Sequence, residues 1–192
     1  MSHIFIYLFL GVAFLLLVLL LWAIFTSNNL VAKRNRTKQA LSTVDVVLKQ
    51  RSDLIPNLVA SAKAYMGHEN ETLREIARLR AQMMNEATPS FEQEVALNSD
   101  LSGLLRRLQV SVEAYPELKA DEQFIHLQEQ LSEMELQLQS ARRIYNAAAT
   151  EYNNYIEMFP SSLLARRGKH TPVALFEAPK EDRETPRIDT LF

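Results

Sequence analysis

DEQFIHLQEQLSEMELQLQSARRIYNAAATEYNNYIEMF, residues 121–159, decides how this chain is built. Its apolar positions are Phe124, Leu127, Leu131, Met134, Leu138, Ala141, Tyr145, Ala148, Tyr152, Tyr155 and Phe159, separated alternately by three and four residues without a slip. That spacing is the apolar stripe of one long helix. Neither Pro nor Gly interrupts it. At about 1.5 Å per residue it makes a rod of roughly 57 Å, too amphipathic to stand alone in water. Other helices or other subunits must cover the stripe.

The cover comes from upstream. A weaker stripe runs through Thr37, Leu41, Val44, Leu48, Ile55, Leu58, Ala62 and Tyr65, in phase across Pro56. One reading breaks it into a hairpin at Ser52-Asp53, with Asp53 as N-cap and Pro56 in a first turn. The other, which we favour because it matches the length of the rod, lets the helix kink at Pro56 and end at Gly67. Leu73, Ile76, Leu79 and Met83 give a second helical face. Thr88-Pro89-Ser90 is a turn with Ser90 as N-cap, and Leu97, Leu101, Leu104, Leu108, Ser111 and Tyr115 give a third helix, broken at Tyr115-Pro116. Short connections between these helices imply an antiparallel, up-and-down four-helix bundle with long first and last helices.

Before the bundle stands a different kind of segment. No Asp, Glu, Lys or Arg occurs before Lys33, and Ile4 to Phe25 is an unbroken run rich in Leu, Phe, Val and Ile. It is long enough to span a bilayer, with Tyr7 and Trp22 near its two interfaces. A signal peptide would need a basic start, a shorter apolar run and a small-residue cleavage site, none of which is present. Lys33, Arg34, Arg36 and Lys38 follow the run, so the positive-inside rule puts the N-terminus outside and the body in the cytoplasm; a periplasmic body is the other arrangement. The expected organisation is therefore an all-α chain: an anchor over 1–27, contacting membrane lipid through residues 4–25, a bundle over 28–160 and a Pro-containing polar tail over 161–192. Asn28 and Asn29 mark a place where the helix could relax on leaving the membrane.

Composition removes several functions. The 192 residues include 4 Gly, 7 Pro and no Cys, and the formal charge is −2. A nucleic-acid binder that neutralises many phosphates needs a basic face, so that class is set aside. Thiolate nucleophiles, thiolate zinc sites and disulfides are excluded with the cysteines. His68-Glu69 and the pair Glu122 and His126 are the nearest approach to a metal-binding pattern. A di-metal bundle needs several inward carboxylates and Glu-x-x-His twice, which this chain lacks, so a metal-dependent bundle enzyme is the least favoured reading. No G-x-S-x-G or Gly-rich phosphate loop is present. No catalytic residue, metal site or cofactor is expected.

Polar groups inside the apolar pattern are more informative. Arg51, Asp53 and Asn57 lie around Pro56; Arg142, Arg143, Tyr145, Asn146, Tyr152 and Asn153 lie on the rod. If buried they must be paired, because an unsatisfied buried polar group costs about 1–3 kcal/mol. We expect partners across the bundle, with Asp53 or Glu69 meeting Arg142 or Arg143. If the last helix returns to the bilayer, Arg166, Arg167 and Lys169 join Lys33, Arg34, Arg36 and Lys38 beside the headgroups, each worth about 1 kcal/mol near an anionic leaflet. Leu136, Ile144 and Ile156 lie off the main stripe and suggest a second contact surface for a homo-oligomer. Val173-Ala174-Leu175-Phe176 is an apolar knot in the tail, suited to a groove of its own bundle or of a neighbour.

Taken in order, Asn29-Leu30-Val31, Arg51-Ser52-Asp53-Leu54-Ile55-Pro56-Asn57-Leu58-Val59, His68-Glu69, Tyr115-Pro116-Glu117-Leu118-Lys119-Ala120, Ala141-Arg142-Arg143-Ile144-Tyr145-Asn146, Tyr152-Asn153 and Phe159-Pro160 resemble the LemA family. The resemblance covers about residues 28–178. Arg51-Ser52 departs from the Arg-Arg that often precedes the Asp. The resemblance implies a bacterial inner-membrane protein with one N-terminal span, a helical bundle and no established enzymatic activity. It also implies association with a membrane zinc metalloprotease of the HtpX type, in envelope quality control or envelope stress. Self-associating scaffold is the leading reading, and a lipid-binding, membrane-organising protein the alternative.

Overall fold

The computed structural model describes residues 2–67, 70–85 and 90–177. His68 and Glu69 lie outside the described residues, as do Thr88-Pro89 and the end of the tail. Every regular element among the described residues is helical: α1 Ser2–Met66, α2 Glu71–Asn85, α3 Phe91–Val112, α4 Pro116–Lys119, α5 Glu122–Glu157 and α6 Ser161–Arg167.

α1 is a single helix that carries the apolar run and continues past Asn28, Asn29, Ser52-Asp53 and Pro56 without a break. The hairpin reading is thereby overturned, and so is a relaxation at the asparagines. Asn costs a helix only a fraction of a kcal/mol per residue, too little to end one that packing holds on its C-terminal side. Helix α1 stops where Gly67 takes φ 76°, the left-handed conformation that closes helices. α3 begins as its sequence predicts. Ser90 accepts from the Gln93 amide at 3.2 Å while Gln93 accepts from the Ser90 amide at 2.9 Å, a reciprocal capping box.

Packing divides the chain into two units, one from 1–42 and 143–175, the other from 43–142 and 176–192. In the second, Ile55, Leu58, Ala62, Leu73, Ile76, Leu101, Leu108, Leu118 and Phe124 form one core cluster drawn from α1 to α5. Fully burying the Leu, Ile and Phe side chains contributes about 1.5–3 kcal/mol each. In the first unit, Leu30 of α1 packs with Tyr152 and Ile156 of α5 and Ala165 of α6. Ile156 is 6% exposed, which removes it from the expected oligomer surface; Leu136 at 64% and Ile144 at 58% remain outside.

Residues 161–177 also differ from the expected tail. Ser161–Arg167 form α6, and Val173 packs against the Leu30 cluster. The periodic signal of one helical turn pair is too short to stand out beside Pro160 and Pro172, which is why it was not legible.

Candidate functional site

The functional candidates gather into two places, one in each unit. In the first, Lys33 Nζ lies 2.6 Å from Glu151 Oε1 and 5.2 Å from the centre of the Tyr155 ring. Arg36 reaches Glu151 Oε2 at 3.3 Å. The Lys33 hydrogen bond holds the Glu151 carboxyl below the usual carboxylate range. A turn further on, the buried Thr37 hydroxyl donates to the Ala148 carbonyl at 3.2 Å. Arg34 and Lys38 stay exposed. Lys33 and Arg36 thus both reach Glu151 on the rod, Arg36 with most of its side chain still exposed.

On the other side of the rod, its polar residues hold the segment that follows α6. Asn153 donates to the Val173 carbonyl and accepts from the Val173 amide, both at 2.9 Å. The Tyr145 hydroxyl donates to the Ala174 carbonyl at 2.8 Å, and burial pushes its pKa up. The Tyr152 hydroxyl sits 3.0 Å from His170 Nδ1. These residues were expected to pair across the bundle; Tyr145, Tyr152 and Asn153 make hydrogen bonds to the strap at 170–174. Asn146 is half-buried beside them.

The face left open in this unit is basic and apolar together. Arg166, Arg167 and Lys169 are exposed, and so are Met158 at 64%, Phe159 at 79% and Leu163 at 58%. Phe159 is the one member of the rod's stripe that is fully uncovered.

The second unit holds an internal charge cluster. Arg51, 3% exposed, donates from Nη2 to Ser102 Oγ at 2.9 Å. Its Nη1 lies 3.3 Å from Glu135 Oε2 without hydrogen-bond alignment. Burial lowers the Arg51 pKa and Glu135 opposes that shift, while Arg142 adds to it. Arg51, Ser102, Gln128, Ser132 and Glu135 line a cavity of about 340 Å³. Arg142 stacks 5.3 Å from the centre of the Phe176 ring, which itself packs 4.7 Å from Phe91. Burial pushes the Glu94 carboxyl up, with Asp45 adding to the rise and Arg142 opposing it.

The pairing expected for Asp53 is therefore corrected. Asp53 binds Lys49 one turn earlier, at 2.6 Å, because an i, i+4 pair on one exposed face forms at little entropic cost. Arg143 is exposed, Asn57 and Pro56 face outward, and Glu69 lies outside the described residues with His68. Glu122 and His126 are exposed.

The LemA family model matches residues 40–190. This chain belongs to the LemA family. A curated relative, Protein LemA of Metamycoplasma hominis, is 28% identical over 156 residues, spanning 81% of this chain and 71% of that one. The family match begins at Ala40, so LemA membership is carried by the helical body. Within it lie Arg51, Glu135, Arg142, Tyr145, Tyr152 and Asn153. Glu135, Ser102, Glu151 and His170 complete the contacts in this chain and were missed in the sequence.

Proposed function

We propose that this LemA-family protein is a non-enzymatic scaffold, anchored in the bacterial inner membrane by residues 4–25 and self-associating through its rod. The observation that carries this reading is the continuity of α1, in which the apolar, exposed run passes directly into a packed helical body. A long stiff helix transmits its membrane position to everything that packs on it. The body would be an antiparallel four-helix bundle in the cytoplasm, as the positive-inside rule prefers, presented to a partner such as an HtpX-type membrane metalloprotease.

Support for self-association comes from Leu136 and Ile144, large apolar side chains left outside on the rod. Photo-crosslinking from these two positions in intact membranes tests it. Crosslinks between copies are expected at both, and crosslinks to other proteins alone would contradict the scaffold reading.

A further inference from the structure

We infer that the Met158–Leu163 turn is a second membrane-inserting element, seated in the leaflet that α1 leaves, with Arg166, Arg167 and Lys169 on its headgroups. The inference rests on the anchor reading of residues 4–25 and adds to it a separate contact with lipid.

Register places the turn. Along this unit the α5 number falls as the α1 number rises: Lys33 meets Glu151 and Thr37 meets Ala148. Both helices rise about 1.5 Å per residue, so continuing the register toward the N-terminus brings Met158 and Phe159 level with Thr26 and Phe25. Phe25 is the last residue of the apolar run. Burial agrees: Thr26 is 3% exposed and Trp22 is half-buried, whereas the run before them is open. Leu30 packs with Ile156 and Ala165, which places the end of α6 about 7 Å behind the Phe25 level.

Chemistry then selects the occupant. Met158, Phe159 and Leu163 expose large apolar surface, while Ser161 and Ala165 point inward. No acidic residue occurs between Glu157 and Glu177, and Arg166, Arg167 and Lys169 are exposed. Apolar side chains at one edge, with cations just behind them, match the boundary between acyl chains and anionic headgroups.

The chain contains no cysteine, so single cysteines can be labelled uniquely. Full-length Phe159→Cys and Leu163→Cys, carrying an environment-sensitive fluorophore, are placed in vesicles of phosphatidylcholine with a minority of phosphatidylglycerol. Phe14→Cys reports the anchor, and Val110→Cys, at an exposed position of α3, reports water. Labels at 159 and 163 should be blue-shifted and quenched several-fold more than at 110 by lipids bearing a nitroxide on the acyl chain. Joint replacement of Arg166, Arg167 and Lys169 by Gln should weaken that quenching and leave Phe14→Cys unchanged. Quenching at 14 with water-like signals at 159 and 163 would overturn the inference and leave the anchor standing. A blue shift at 159 without lipid quenching would assign the patch to another protein surface and also overturn it. Absence of quenching at 14 would remove the anchor reading and the inference together.

Discussion

Lys33 and Glu151 meet at 2.6 Å, and the same ammonium lies 5.2 Å from the centre of the Tyr155 ring. A residue that the sequence assigns to the positive-inside signal is thus also a clamp between α1 and the rod. The clamp holds the Glu151 carboxyl below its ordinary pKa, chiefly through the Lys33 hydrogen bond. A carboxyl depressed in the folded state contributes stability above its unfolded pKa and loses it as pH falls through the folded one. Glu151→Gln should therefore lower Tm at neutral pH and flatten its decline below about pH 4. An unchanged acid limb in thermal unfolding would show that the pair carries no linkage.

Arg51 and Glu135 make an asymmetric pair, because the arginine is 3% exposed and the glutamate side chain 36%. Glu135→Gln leaves a buried cation with its Ser102 bond alone, and should destabilise the protein by about 1–3 kcal/mol. Arg51→Met removes the buried charge while filling its volume, so it should cost less than Glu135→Gln. Urea unfolding of the two variants gives the order directly. The reverse order would mean that the buried guanidinium supplies more than its pairing with Glu135.

The strap depends on Asn153, which makes both backbone hydrogen bonds to Val173. Asn153→Ala should free the Val173 amide, raising its hydrogen-exchange rate at least tenfold, and cost about 1–3 kcal/mol. Exchange at Leu73, in the other unit's core, should change less. Equal acceleration at both sites would show that the strap is integral to global stability.

Leu138 is fully buried at the middle of the rod. Leu138→Ala should cost about 2–5 kcal/mol, whereas Leu136→Ala, two residues away and 64% exposed, should leave monomer stability within about 0.5 kcal/mol. If Leu136 lies in a contact between copies, its truncation should instead weaken crosslinking in membranes.

The rod was legible because its stripe is long and uninterrupted, and periodicity accumulates with length. Every position that the spacing selects from Phe124 through Tyr155 is buried or half-buried, although Ala149, which it does not select, is buried too. The capping box at Ser90 was partly legible for a local reason: the Ser90 N-cap lies next to the helix it starts, although the reciprocal Gln93 bond was not anticipated. The charge partners were harder. Arg51 finds Ser102 and Glu135, far away in sequence, and no spacing rule connects residues brought together by helix packing. Asp53 went to Lys49 because the local pair forms first on geometry. The strap escaped for another reason: apart from His170, which meets the Tyr152 hydroxyl, it bonds through the backbone groups of Val173 and Ala174, which every sequence possesses. The receiving side chains, Tyr145, Tyr152 and Asn153, left a trace as polar groups within the pattern of the rod.

The central claim is that the anchored rod is a platform built from several copies. Light scattering of the full-length protein extracted in mild detergent, corrected for bound detergent, tests it most directly. The account predicts a uniform mass several times that of the 22.0 kDa chain, reduced when Leu136 and Ile144 are replaced by polar residues. A monodisperse single chain at every protein concentration would contradict it.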